Sequence, residues 1–109
     1  MTNPTPITAV KRATIALVNH TKTNLHIKNN KISTLGSQKG QWAVYKELTL
    51  APGACATTEA LQDETHQLMV YSVPRPDDFL YVVADLNLED ATTIKLYDGH
   101  FEIVPGLSC

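Results

Sequence analysis

The fold class of this chain is clearest in the segment TIKLYDGHFEIV (residues 93–104). Two runs rich in apolar and β-branched residues, Thr93–Tyr97 and His100–Val104, flank the pair Asp98-Gly99. A two-residue type I′ turn prefers this pair because both of its turn positions need φ > 0. The segment therefore predicts a β-hairpin with a type I′ turn.

The rest of the chain shows the same short strand-like runs. Asn24–Asn29 alternates apolar and polar residues, and so does Gln67–Val73, which is the pattern of a strand with one buried face. Residues 59–64 could instead form one helical turn. No stretch of twelve residues carries a convincing helical period. The further predicted strands are Arg12–Asn19, Gln41–Tyr45, Glu47–Leu50, Ala54–Leu61 and Phe79–Leu88.

Polar and Pro/Gly-containing segments separate these runs. His20–Thr23 is short and polar, which predicts a hairpin loop between the first two strands. Ala51-Pro52-Gly53 is a strong turn signal, and Pro74–Asp78 is predicted to form a rigid polar corner. Within Phe79–Leu88, residues 81–84 are apolar enough to be covered on both faces. The same run could also be an exposed edge that pairs with a second copy, so a homo-oligomer is an open alternative.

Seven or eight short strands with frequent turn signals predict an all-β fold. The architecture that we expect is a single-domain antiparallel β-sandwich, with a small barrel as the related alternative. A chain of 109 residues is one domain by length and can bury a core without metals or disulfides. Residues 9–109 are therefore predicted to form the sandwich, after a flexible N-terminal arm over residues 1–8.

The charges are divided along the chain. Residues 1–46 contain no Asp or Glu and carry seven of the nine Lys and Arg residues, whereas all eleven carboxylates lie between Glu47 and Glu102. Such a division either complements itself inside one folded body or offers one face to an anionic partner.

The N-terminus and the cysteines bear on the compartment. The start of the chain lacks the charged region and the long apolar stretch of a secretory signal. We therefore expect a protein that is cytoplasmic or exported without a cleaved signal peptide. Cys55 and Cys109 would close a loop of about fifty residues, stabilising by roughly 4 kcal/mol as a disulfide, whereas a reducing compartment would keep them apart. Otherwise Cys55 is a small core residue.

The sequence gives little support for catalysis or cofactor binding. His20, His26, His66 and His100 show no metal-ligand spacing, so we interpret them as solvated strand or turn histidines. Adjacent carboxylates in polar loops are turn formers more often than an acid/base pair placed across a cleft. We predict no enzyme activity, no metal and no cofactor. The pI of about 6.0 and the lack of aromatic residues other than histidine in residues 1–40 argue against nucleic-acid binding.

One aromatic pair suggests a contact surface. Trp42 and Tyr45 follow the loops that contain Lys31 and Lys39. Trp42 is either a core residue or a ring at the rim of a sheet, where it would face a lipid interface or a protein partner. In the second case the two lysines would steer the surface toward anionic groups.

Part of the chain resembles a known family. The apolar strand Ile15–Asn19 is followed by Asn24–Asn29, then by Gly36, and later by Leu48–Gly53, which ends in Ala-Pro-Gly. In this order the pieces, which cover about forty residues of the first half, resemble the aegerolysins, small β-sandwich proteins of fungi and bacteria. The resemblance implies a non-catalytic protein that binds membrane lipids, notably sphingolipids, and that in some members recruits a larger pore-forming partner.

The leading hypothesis is therefore a non-catalytic recognition module that binds a lipid headgroup or membrane surface, as one component of a toxin or defence system. The alternative is a protein-binding module of inhibitor, immunity or effector type. In that case its acidic loops would contact a basic partner. These loops contain Asp63, Glu64, Asp77, Asp78, Glu89 and Asp90.

Overall fold

The computed structural model describes residues 12–32, 40–61, 64–73, 75–86 and 88–109. The predicted arm over residues 1–8 lies outside these ranges, as do Gly36, Lys39 and Asp63. No helix within the described part of the chain is long and apolar enough to cross a membrane.

Eight strands form two four-stranded sheets. The first sheet has the order β4-β1-β7-β8 and the second has the order β3-β2-β5-β6. All neighbouring pairs are antiparallel except β1 and β7, which are parallel. The expected β-sandwich of seven or eight strands is confirmed. The strands are β1 Arg12–Asn19, β2 Leu25–Ile32, β3 Trp42–Leu50, β4 Cys55–Leu61, β5 His66–Ser72, β6 Arg75–Leu86, β7 Thr92–Leu96 and β8 Phe101–Pro105.

The core lies between the two sheets and is built from the alternating residues. Leu25 and Ile27 of β2 and Leu68 and Val70 of β5 are fully buried, as their alternation predicts. Each such side chain contributes roughly 1.5–3 kcal/mol on burial. The first sheet supplies the facing layer, with Ile15, Leu17, Ile94 and Leu96.

The predicted hairpin loop at His20–Thr23 is wrong, because β1 and β2 belong to different sheets. The side chain of Asn19 organises this crossing. Its amide group donates to the carbonyl oxygens of Thr23 and Leu50, both at 2.9 Å. Its Oδ1 accepts from the backbone N–H and the hydroxyl of Thr21 at 2.8 and 2.6 Å. A fully buried polar residue therefore holds the loop, which a polar loop sequence alone does not reveal.

The turn predicted at Ala51-Pro52-Gly53 is confirmed, and it also leads from one sheet to the other. The N–H of Ala54 donates to the carbonyl of Ala51 at 3.0 Å, and Gly53 has φ +75°. Proline followed by a glycine with positive φ is the arrangement of a type II turn.

The C-terminal hairpin is also confirmed, but its turn type is not. The N–H of Tyr97 donates to the carbonyl of His100 at 2.9 Å, which closes a two-residue loop. Gly99 is not among the glycines with positive φ. The predicted type I′ turn is therefore wrong, because that turn requires φ > 0 at both central positions.

Four further expectations are corrected. The runs 41–45 and 47–50 belong to the single strand β3, and residues 59–61 lie in β4 rather than in a helical turn. The backbone of residues 75–78 is part of β6 and not a corner, since β6 pairs with β5 from the Ser72–Arg75 pair onward. β6 is an edge strand whose Ala84 is exposed, so residues 81–84 are not covered on both faces.

Candidate functional site

Of the four residues that the sequence grouped as a contact surface, the structure brings Lys31 and Tyr45 together, with Lys31 Nζ 5.7 Å from the centroid of the Tyr45 ring. Tyr45 is half-buried, and its hydroxyl donates to Glu59 Oε1 at 2.8 Å. Lys31 pairs with Glu64 at 3.3 Å. Both side chains therefore make contacts with other residues of the protein. Trp42 remains 42% exposed, and Lys39 lies outside the described residues.

A β-bulge explains why Tyr45 has this position. Asn29 of β2 pairs with Lys46, and Asn30 pairs with Val44, so Tyr45 is the extra residue. A bulge redirects the side chains around it. Here it lets two consecutive residues reach the same carboxylate, because Lys46 Nζ also lies 2.8 Å from Glu59 Oε1.

Polar contacts join the two sheets at this end of the sandwich. The amide group of Asn29 donates to Thr58 Oγ1 at 3.1 Å and to the carbonyl of Glu59 at 2.8 Å. The imidazole of His66 lies between Asn29 Oδ1, at 2.8 Å, and the N–H of Leu61, at 3.0 Å. We call Asn29, Tyr45, Thr58, Glu59 and His66 the inter-sheet cluster. His66 is fully buried, so its interpretation as a solvated histidine is wrong.

The inter-sheet cluster also uses the charge division of the chain. Glu59 accepts from Lys46 and lies 3.4 Å from Arg12. The hydrogen bond from Lys46, followed by that from Tyr45, lowers the pKa of Glu59. These ion pairs and the pair between Lys31 and Glu64 each join the basic first part of the sequence to its acidic second part. Among the described residues, the two parts therefore complement one another within the fold.

The described acidic residues that were proposed as a protein-contact surface do not lie together: some are at different ends of the second sheet, and others precede β7 of the first sheet. Glu64 precedes the start of β5, whereas Asp77 and Asp78 lie near the start of β6, which pairs with the end of β5. The expectation that these two residues occupy a loop is wrong, because their backbone is part of the strand. Glu89 and Asp90 are exposed before β7.

The C-terminal segment covers part of the outer side of the first sheet. Cys109 forms a disulfide with Cys55 at the start of β4, with the Cα atoms 5.7 Å apart. Before Cys109 the segment contacts Thr93, whose hydroxyl donates to the carbonyl of Gly106 at 2.7 Å and accepts from the N–H of Ser108 at 2.8 Å. As a result, Thr93 is fully buried.

The outer side of the second sheet presents large apolar side chains to solvent. The exposed fractions are 42% for Trp42, 56% for Val44 and 48% for Phe79. Tyr71 lies beside Phe79, with the ring centroids 6.0 Å apart. The register places these residues on the side opposite the core. We call this surface the outer face; it comprises His26, Lys28, Trp42, Val44, Glu47, Thr49, Met69, Tyr71, Val73 and Phe79.

A groove of about 480 Å³ lies on the outer face and is lined by His26, Lys28, Thr49, Tyr71 and Val73. The ammonium group of Lys28 lies 5.4 Å from the centroid of the Tyr71 ring. His26 Nδ1 is 3.5 Å from the hydroxyl of Thr49. The groove thus combines an aromatic wall with a cation and a hydroxyl.

Sequence reasoning placed His26 and Lys28 on the polar side of β2 but did not find the groove. The groove depends on the strand order, which brings β3 and β5 to the two sides of β2. The usable signal was the outward alternation of Met69 and Tyr71 with the buried Leu68 and Val70.

Within the described residues, no group of three or more His, Cys, Asp or Glu side chains is placed to hold a metal ion. The polar groups that converge on the outer face are suited to hydrogen bonding and charge pairing with a ligand.

Comparison with known proteins extends the description of the fold. No family model and no curated protein matches the chain. Among solved structures, the crystal structure of the T6SS lipoprotein TssJ1 from Pseudomonas aeruginosa is similar, with a TM-score of 0.60 and 13% identity over 93% of this chain and 100% of that chain. A chain of the structure described as "Trapped Toxin" has a TM-score of 0.54 and 11% identity over 91% of this chain, which spans 24% of that one. At these identities the likeness supports the β-sandwich fold alone.

Proposed function

We propose that this protein is a non-catalytic recognition module that binds another protein through the outer face. The observation that carries the proposal is the exposure of Trp42, Val44 and Phe79 on one side of the second sheet. Exposed apolar groups that adjoin one another commonly mark an interaction site; Tyr71 and Phe79 adjoin, with ring centroids 6.0 Å apart, and Trp42 and Val44 lie two residues apart on the same face of β3. Tryptophan, tyrosine, phenylalanine and methionine are the residues enriched at the centres of protein interfaces.

The internal ion pairs support this choice of surface. Lys31 and Glu64, which the sequence assigned to two competing contact surfaces, pair with each other. Their charges are thereby largely compensated within the protein. An apolar face with a few polar groups is then a better contact surface than either a basic or an acidic patch.

The structural neighbours motivate the hypothesis that this protein is a toxin or defence component. One is described as a T6SS lipoprotein and the other as a trapped toxin. The proposal takes from them the hypothesis that this module works within a secretion or toxin assembly, where its partner would be another component.

Site-specific photo-crosslinking in lysate of the source organism tests the proposal. A benzophenone amino acid replaces Val44 on the outer face in one variant and Thr14, an exposed residue of the first sheet, in the control variant. We expect a discrete crosslinked protein from position 44, which an excess of the unlabelled module competes away. Equal crosslinking from both positions, or none from position 44, would refute protein recognition by this face.

A membrane lipid surface is the second candidate. It is favoured by Trp42 and Val44, which lie together on the edge strand β3 with both side chains exposed. Amphipathic indole rings prefer the membrane interface, and the aegerolysin resemblance, with its pore-forming partner, belongs to this hypothesis. Flotation with sphingolipid, anionic and neutral liposomes tests it. Binding that is lost in Trp42→Ala would support lipid recognition, and the absence of binding to every mixture would exclude it.

A further inference from the structure

We propose that the groove on the outer face takes an apolar side chain of the partner protein together with a carboxylate next to it. This inference rests on the proposed function and specifies the chemistry of the partner. The volume of about 480 Å³ lies within the roughly 300–1,000 Å³ that is typical of ligand pockets. It suits a side chain of a docked segment.

The walls of the groove select the apolar part. Tyr71 and Val73 line it, and Val73 is 39% exposed. Phe79 extends the aromatic surface beyond Tyr71. Covering these groups removes apolar area from water, at about 25 cal/mol for each Å². An aromatic or branched side chain fits this lining.

Lys28 selects the carboxylate. Arg12, Lys31 and Lys46 each lie within 4.0 Å of a carboxylate oxygen, whereas Lys28 makes no such pair with a described residue and instead lies against the ring of Tyr71. Its positive charge is therefore available at the mouth of the groove. The nearby Thr49 hydroxyl provides a hydrogen-bond donor to the same ligand group.

Glu47 would repel a carboxylate in the groove, so it provides a second test of the proposed charge preference. It is the cross-strand neighbour of Lys28, and its Oε2 lies 3.9 Å from His26 Nε2. A carboxylate in the groove would be attracted by Lys28 and repelled by Glu47. Neutralising Lys28 should therefore lower the affinity for a carboxylate ligand, and neutralising Glu47 should raise it.

The experiment is a titration of the ¹⁵N-labelled protein, followed by NMR, with two peptides of the same shape. One is acetyl-Phe-Asp-amide and the other is acetyl-Phe-Asn-amide, which lacks the charge. We expect shifts at His26, Lys28, Thr49, Tyr71 and Val73, with the Asp peptide bound roughly two- to fivefold more tightly, the factor of an exposed charge pair. This preference should decrease at high salt because exposed charges are screened.

Three variants complete the test. Lys28→Gln should remove the preference for the Asp peptide, Glu47→Gln should increase it, and Lys22→Gln, an exposed lysine outside the groove, should leave it unchanged. Equal binding of the two peptides by the native protein, or a preference that survives Lys28→Gln, overturns the proposal. So does the absence of shifts in the groove.

If crosslinking from position 44 persists in any of these cases, the recognition face stands and only the groove chemistry is wrong. If crosslinking is absent, the proposed function fails whatever the peptides do.

Discussion

His66 Nδ1 donates a hydrogen bond of 2.8 Å to Oδ1 of Asn29, and both residues are fully buried. The tautomer follows from the second ring nitrogen, which accepts the N–H of Leu61 at 3.0 Å. A neutral imidazole satisfies both contacts. A protonated ring would place an N–H against the N–H of Leu61 and would leave two buried donors facing one another.

This geometry predicts that the protein loses stability in mild acid. Burial is the main cause that lowers the pKa of His66 below 6.5; Glu64 raises it, and Lys31 lowers it. The unfolded chain takes up the proton near pH 6.5, and the folded chain does so only at lower pH. The unfolded state therefore binds more protons between these values. We expect the free energy of unfolding to decrease as the pH falls below about 6.5, as measured by urea denaturation at pH 7.5, 6.5 and 5.5.

A non-titrating replacement isolates the contribution of His66. His66→Gln retains a donor and an acceptor, so it should cost about 1–3 kcal/mol at pH 7.5 from imperfect hydrogen bonding. It should then lose less further stability between pH 7.5 and 5.5 than the native protein. His100→Gln, at an exposed turn histidine, controls for the loss of an imidazole. Parallel stability curves for the native protein and His66→Gln would contradict the assignment.

Glu59 is predicted to be the carboxylate on which the contact between β3 and β4 depends. It accepts from Tyr45 and Lys46 and lies near Arg12, while its side chain is 19% exposed. Glu59→Gln should reduce the free energy of unfolding by about 1–2 kcal/mol, because charge-assisted hydrogen bonds are lost and partial exposure limits each of them. Glu102→Gln, at an exposed residue of β8, is the control in the same urea series. A similar effect of both substitutions would indicate net charge rather than this contact.

The fold could be predicted largely from local pattern. Leu25 and Ile27 alternate with polar residues and are buried as expected, and the Pro52-Gly53 signal marks a real turn. Local pattern does not say which strands become neighbours. The polar loop after Asn19 therefore has the sequence of a hairpin loop, although it crosses between sheets and is held by a buried amide.

The candidate site was less predictable, because it depends on pairing register. Trp42 and Tyr45 are three residues apart in β3, so simple alternation already places them on opposite faces. The bulge adds Lys46 to the face of Tyr45, where both side chains reach Glu59. No sequence signal marks that bulge. His66 lies two and four residues before the buried Leu68 and Val70, so the alternation of β5 already places it on the core face. Local pattern does not identify its hydrogen-bond partners, Asn29 and Leu61.

The disulfide is predicted to make a large contribution to stability. Cys55 and Cys109 are separated by 54 residues, and a cross-link of this span contributes about 4 kcal/mol in the loop-entropy model. Cys55→Ala with Cys109→Ala should therefore lower the free energy of unfolding by several kcal/mol and expose the Ser108 amide to faster hydrogen exchange. A reducing agent should destabilise the native protein similarly and leave the double variant unchanged. Equal stability of the oxidised and reduced native protein would contradict this expectation.

Two glycines should respond in different ways to substitution by alanine, and the comparison tests the turn geometry. Gly53 has φ +75°, and no atom lies within 4 Å of the position that a Cβ would take, so only backbone strain opposes Gly53→Ala. This strain costs roughly 1–2 kcal/mol for an L-residue. Gly99 also has open space around its Cα but lacks a positive φ, so Gly99→Ala should change stability by less than about 0.5 kcal/mol. The free energies of unfolding of the two variants, measured by urea or thermal denaturation, test this difference. If Gly99→Ala were the more damaging substitution, the Asp98-Gly99 turn would have the type I′ geometry that its sequence favours, and the turn described for this hairpin would be wrong.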